Sequence, residues 1–249
     1  GLICGYPDGT FRPGRTITAA EFVSIVGRCG GLEPAASSSS HWAAGTMQAA
    51  LEAGWYDWDE LPPTGEKYDL PLPRQLAVNI LMRALLPDKT GDYVTESAKM
   101  ADFSALDGRY YNKVLAAYSC GVVAGDDQGR FNPKSGLTRA EAFALACRLL
   151  SLEAPEDAVL PFRDVDRSDW YYAAAAAAYA HGLASADDNF CPHRPVTRGE
   201  FTTILARAME HIGWLSIPEN GQAQDLSLAD AASIPSWALG AYLAFDGED

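Results

Sequence analysis

Four stretches of the chain place apolar residues at helical steps of three and four. Phe22, Ile25, Val26 and Cys29 form one such stripe, and Ala77, Ile80, Leu81 and Ala84 a second. Phe143, Ala146, Cys147 and Leu150 form the third, and Phe201, Ile204, Leu205 and Ala208 the fourth. Each stripe predicts an amphipathic helix. Shorter stretches rich in alanine and aromatics lie between them: "HWAAGTMQAALEAGW" from His41, "DGRYYNKVLAAYSCG" from Asp107, "SDWYYAAAAAAYAHG" from Ser168 and "IPSWALGAYLAF" from Ile234. Each begins near an aromatic, Trp42, Tyr110, Trp170 or Trp237. The first three close on glycine, which suits a helix C-terminus.

The connections repeat as well. After Gly1, Gly121 and Gly182 come an Asp-bearing turn, Phe-x-Pro, and then Thr-x-x-Glu. Pro13 to Thr18, Pro133 to Thr138 and Pro192 to Thr197 are all five residues apart. A worn copy, "YDLPLPRQLAVNILMRALL" from Tyr68, has Pro73 for the threonine and Leu76 for the glutamate but keeps Arg74. The period is about 55–65 residues, the mark of a repeat array. Such an array predicts a mainly all-α fold of tandem helix–loop–helix units in a pseudo-symmetric helical bundle.

The units fall at 41–86 (the worn copy), 102–150 and 162–214. Residues 1–30 supply only a second half, as if cut from a longer array, and 225–249 only a first half. The two orphans are complementary. They predict either closure of one chain on itself or pairing between chains, because a half unit leaves an apolar helix face uncovered and domain swapping covers it cheaply. Polar or proline-bearing stretches at 32–40, 87–98, 153–160 and 216–223 read as loops.

Thr-x-x-Glu is the signature of a helix capping box, in which each side chain takes an N–H left unpaired at the first turn. That assigns Thr18, Glu21, Thr138, Glu141, Thr197 and Glu200 to the fold. Arg139 and Arg198, one residue past the cap, are not needed for capping. A cation at that position opposes the helix dipole. Two readings are open: an anion site beside free first-turn N–H groups, or a surface arginine bridged to an aspartate. The Asp-rich turns lack the alternating ligand ladder and terminal glutamate of a calcium loop. Asp and Gly there point to turns. Phe11, Phe131 and Phe190 are expected to plug the space between the two helices of a unit.

The net charge of −14 over 249 residues argues against nucleic acid, which needs a basic face, and against electrostatic attachment to anionic lipid. No apolar run is long enough for a membrane span. An anionic partner would need local arginines working against an unfavourable mean field. The five cysteines form no CxxC pair, so neither a disulfide framework nor a metal site is expected. Cys29 and Cys147 read as core thiols. His41, His181, His193 and His211 lie in different units. With no Ser-His-Asp order and no phosphate loop, neither catalysis nor a cofactor is expected.

"GYPDGTFRP…ITAAEF", "GRFNP…LTRAEAF" and "PFRDVDRSDWYYAAAAAAYAHGL…VTRGEF" resemble surface-layer homology (SLH) modules. Phe162, Asp164, Val165 and Trp170 fit the family's opening motif, and Gly5, Tyr6, Asp8, Gly9, Phe11 and Pro13 its turn. The resemblance implies an extracellular bacterial module at the cell wall. It would bind secondary cell-wall polysaccharide, often pyruvylated and hence anionic, in grooves between modules. It implies ligand contacts from Arg139 and Arg198, with Arg74 at the matching place in the worn copy, and from groove aromatics and acids such as Tyr6 and Asp8. Trp170, Trp42 and Trp237 then have two readings, stacking on sugar rings or packing between helices. Ala19 stands where two sister units have arginine. A structural or assembly module with most grooves lost is the alternative function.

Overall fold

A computed structural model describes residues 5–187 and 189–246. Each of the four apolar stripes is a helix. Numbered along the chain, the α-helices are α1 (Ala19–Cys29), α2 (Ala44–Glu52), α3 (Gly65–Tyr68), α4 (Arg74–Leu85) and α5 (Tyr93–Ser97). They continue with α6 (Tyr111–Ser119), α7 (Arg139–Leu149), α8 (Tyr172–Ala180), α9 (Arg198–His211) and α10 (Ser236–Asp246). The described residues contain no sheet, only isolated antiparallel bridges, so the fold is all-α.

The capping boxes form as their spacing requires. Thr18, Thr138 and Thr197 each accept the N–H of the glutamate three residues on, at 3.2–3.3 Å. The glutamates accept the threonine N–H groups at 2.8–3.0 Å. Ile17, Leu137 and Val196, just outside the caps, are buried. In α4 Pro73 gives no side-chain cap. Gly54, Gly121 and Gly182 follow α2, α6 and α8 with φ near +70°, which only glycine adopts without strain.

The chain divides into two compact units. The middle unit is Thr18–Leu137, and the terminal unit joins the stretch up to Ile17 with the stretch from Thr138 onward. Both boundaries fall at a cap threonine, so they cut through sequence repeats. In the middle unit α2 packs on α1, and α6 on α4. In the terminal unit α8 packs on α7, and α10 on α9. The packing module is therefore a long second-half helix followed by the short helix and turn of the next repeat.

This phase shift moves the phenylalanines. Phe131 lies between Tyr118 of α6 (5.9 Å between centroids) and Arg74 of α4, helices of two successive sequence repeats rather than of one unit. Phe190 packs on Phe143 of α7 and Phe162. Phe11 meets Tyr242 of α10 edge-on at 4.8 Å. All three phenylalanines are fully buried. The cause is the Phe-x-Pro turn, which sets Phe131 against α4 and Phe190 against α7, the long helix of the preceding repeat, before the next helix starts.

The two half repeats meet within one chain. Asp230 accepts the Phe11 and Arg12 N–H groups at 2.6 and 2.7 Å, and Gly9 O accepts Ala229 N–H at 2.9 Å.

Candidate functional site

The same clamp holds three turns. Phe-x places its second residue, Arg12, Asn132 or Cys191, at φ of 53–60°, which costs energy for any residue but glycine. One carboxylate holds each strained pair by accepting both N–H groups. Asp102 binds Phe131 and Asn132 at 2.7 and 2.8 Å, and Asp164 binds Phe190 and Cys191 at 2.6 and 2.7 Å. Asp230 is the third, as described above.

An arginine closes each clamp from the other side. Arg74 Nη1–H donates to Phe131 O at 2.7 Å, and Arg198 Nη1–H to Phe11 O at 2.6 Å. Arg139 Nε–H donates to Phe190 O at 2.7 Å. The guanidinium of Arg198 lies 3.8 Å over the Phe11 ring, and that of Arg74 4.6 Å over Phe131. Arg74 and Arg198 are buried, 3% and 2% exposed. Each grips the turn that its helix packs against.

The first-turn N–H groups, beside which one of the two readings placed an anion, are taken by backbone carbonyls. Arg198 N–H and Gly199 N–H donate to Arg15 O and Pro13 O. Arg139 and Ala140 donate likewise to Arg194 O and Pro192 O, and Arg74 and Gln75 to Ser135 O and Pro133 O. The turn's own carbonyls saturate the helix N-terminus that an anion would have used.

Arg139 differs from its sisters by reaching a cavity. A pocket of about 200 Å³ in the terminal unit is lined by Arg139, Arg194, Arg207, Glu200, Trp237 and Cys191, among others. Arg139 Nη1–H donates to Glu200 Oε1 at 2.7 Å. Arg194 forks onto both oxygens of Glu200, with Nη1 3.0 Å from Oε2. Burial pushes the Glu200 carboxyl up, but Arg194, Arg139 and the Thr197 N–H together hold it below the usual carboxylate range. Arg207 donates to Leu183 O, Ser185 Oγ and Trp237 O at 2.8–2.9 Å. Burial lowers its guanidinium from the ordinary value.

Of the residues singled out in the sequence, the pocket joins Arg139 and Trp237; the latter is 38% exposed. Tyr6, Asp8 and Arg198 gather instead at the Phe11 turn. The Tyr6 ring carries Arg12 at 4.0 Å and Arg198 at 5.1 Å. Asp8 accepts from Thr10 and Arg12 and is held at about 2, chiefly by the Thr10 hydroxyl. Trp170 is half-buried with its edge to Tyr171, and Trp42 is half-buried against His41. Cys29, Cys120, Cys147 and Cys191 are free thiols, and Cys4 lies outside the described residues.

Sequence reasoning missed Arg194, Arg207 and the clamp role of Asp102, Asp164 and Asp230. A signal existed for the aspartates. An apolar-x-Asp triplet, Met100 to Asp102, Phe162 to Asp164 and Leu228 to Asp230, stands before three of the short helices.

The fold and site thus define a tandem helical repeat protein with clamped turns and an arginine-lined pocket. Residues 1–23, 101–143 and 161–202 match the family model of the S-layer homology domain, so the chain carries modules of that family. It is 34% identical to the Surface-layer 125 kDa protein of Lysinibacillus sphaericus over 148 residues, 58% of this chain and 12% of that protein. It is 32% identical to Exoglucanase XynX of Acetivibrio thermocellus over 156 residues, 62% of this chain and 14% of that protein. A 25% match to the Cellulosome-anchoring protein of Acetivibrio thermocellus covers 74% of this chain and 43% of that protein. The chain therefore spans only a small part of the first two relatives. Family and relatives locate it at the cell surface.

Proposed function

We propose that the chain attaches its parent protein to the bacterial cell wall by binding an anionic wall polysaccharide in the Arg139–Trp237 pocket. One observation carries this reading. In a chain of net charge −14, the pocket's described lining sets three guanidiniums, Arg139, Arg194 and Arg207, against two carboxylates, Asp187 and Glu200. One guest carboxylate balances that charge, and a pyruvate ketal on a sugar supplies one. Arg194 can turn one face of its fork to the guest, since its side chain is 43% exposed. Trp237 offers an apolar face for the sugar ring. At about 200 Å³ the pocket suits one sugar unit of a longer polymer.

Attachment needs no chemistry from this stretch. The match to Exoglucanase XynX covers 14% of that enzyme, a share consistent with a module joined to a catalytic region elsewhere. No helix of the described residues is long and apolar enough to cross a membrane. The alternative, an assembly module closing through its half repeats, draws support from the Asp230–Phe11 contacts and is compatible with a working pocket.

Sedimentation with purified sacculi tests the proposal, with and without their attached polysaccharide. Binding should vanish when the polymer is stripped. Trp237→Ala, at an exposed rim, should weaken binding about tenfold or more at unchanged thermal stability, and Arg194→Ala, which also gives up its ion pair with Glu200, should weaken binding by more than it lowers stability. Binding that survives stripping, or that ignores both substitutions, overturns the reading.

A further inference from the structure

The Phe11 turn and its receptor lie at opposite ends of the sequence. Asp230 takes two N–H groups of the turn, Arg198 takes the Phe11 carbonyl, and Tyr242 packs on the ring. Arg198 N–H and Gly199 N–H add bonds to Arg15 O and Pro13 O, and Ile17 N–H donates to Val196 O. Thr16 forms a bridge with Thr197. Every one of these contacts comes from residues 9–17. The next residue, Thr18, already belongs to the middle unit. The boundary between the two units falls at the Ile17–Thr18 peptide bond.

The receptor is shaped for this segment. A Cβ on Gly199 would lie 2.7 Å from Tyr242 Oη and 2.9 Å from Pro13 Cβ, closer than real contacts allow. The matching positions of α7 and α4 carry Ala140 and Gln75. Glycine is thus used where Pro13 and Tyr242 close over the helix start.

We propose that residues 5–17 are a separable docking segment, and that α9, α10 and Asp230 form a receptor which takes the same segment from a second copy of this chain. A segment from another copy has the same atoms and makes the same bonds, so exchange trades identical contacts. The partner is specified completely: it is Gly5 to Ile17 of a like chain, led by Phe11.

The test uses variants of the 249-residue chain. Phe11→Ala weakens the resident segment and leaves the receptor whole. A fluorescent peptide of residues 5–17 should bind the Phe11→Ala chain at least tenfold more tightly than it binds the double variant Phe11→Ala, Asp230→Ala. Phe11→Leu with Asp230→Asn serves if the harsher variants do not fold. Mixed and briefly warmed, the single variants Phe11→Ala and Asp230→Ala should sediment as a one-to-one pair, each supplying what the other lacks. Equal peptide binding by single and double variants overturns the docking segment. Peptide binding without the mixed pair overturns exchange between chains. No glycan enters the assay, so either outcome is separable from the fate of the wall-binding pocket.

Discussion

Replacing Arg198 with methionine separates a structural arginine from a ligand contact. The side chain is 2% exposed, donates to Phe11 O at 2.6 Å and lies 3.8 Å over the Phe11 ring. A hydrogen bond from a charged donor contributes about 1.5–3 kcal/mol. A desolvated cation–π contact adds about 1–2 kcal/mol. The hydrogen-bond figure is already net of desolvation, so methionine recovers only part of the cost of burying the charge while leaving Phe11 O unpaired. The net expected loss is about 2–3 kcal/mol. For a chain of this size that lowers the melting temperature by roughly 4–12 °C. Circular dichroism at 222 nm measures the melt, and hydrogen exchange at Phe11 and Arg12 reports whether the turn opens first. Binding to sacculi should fall no further than stability does. An Arg198→Met chain that melts like wild type yet loses the wall would refute the clamp and restore Arg198 as a ligand residue.

Asp102→Ala strips the acceptor from Phe131 N–H and Asn132 N–H at a residue with φ of 55°. A loss of about 2–3 kcal/mol is expected, with faster exchange of both amides by NMR; protected amides would contradict it. Glu200 has a depressed native pKa, so its contribution to stability is full above its unfolded value, about 4.3. It is lost as pH falls through the lower native value. Glu200→Gln keeps the cap, since glutamine also serves a capping box, and should flatten the stability–pH slope in the acid range. Parallel slopes would count against the assignment. Burial pushes the Cys147 thiol up to about 11 and Cys29 up to about 12. Iodoacetamide with peptide mapping should label exposed Cys120 well before either, and wall polymer should shield Cys191; equal rates at Cys120 and Cys147 would refute the burial argument.

Helix content and caps were legible because they are local. The 3.6-residue stripe from Phe22 to Cys29 and the Thr18–Glu21 pair need only neighbours in sequence, and both form as spelled. The packing partners were not legible. Periodicity shows that α6 has an apolar face, but not that α4 rather than α7 covers it, because either helix offers a similar stripe. The role of Arg74 and Arg198 was hidden for a related reason. Their acceptors, Phe131 O and Phe11 O, are backbone atoms that carry no sequence signature. What takes the helix-start N–H groups was hidden on the same point, since the carbonyls of Pro13 and Arg15 are invisible in a residue string. Arg139 and Trp237 were singled out singly; their meeting depends on a fold that seats the Trp237 carbonyl against Arg207, a residue of α9.

The half-repeat phase shift has a mechanical consequence. A protein moored to a wall is pulled on, and the chain must resist extension. Residues 102–150 contribute α6 and its turn to one unit and α7 to the other. Opening the middle unit breaks the Arg74 grip on Phe131 O and leaves the Arg139 grip on Phe190 O, which lies within the terminal unit. Repeats divided in this way do not peel off one by one. Under force the lengths released should follow the stretch from Thr18 to Leu137 rather than the shorter period written in the sequence.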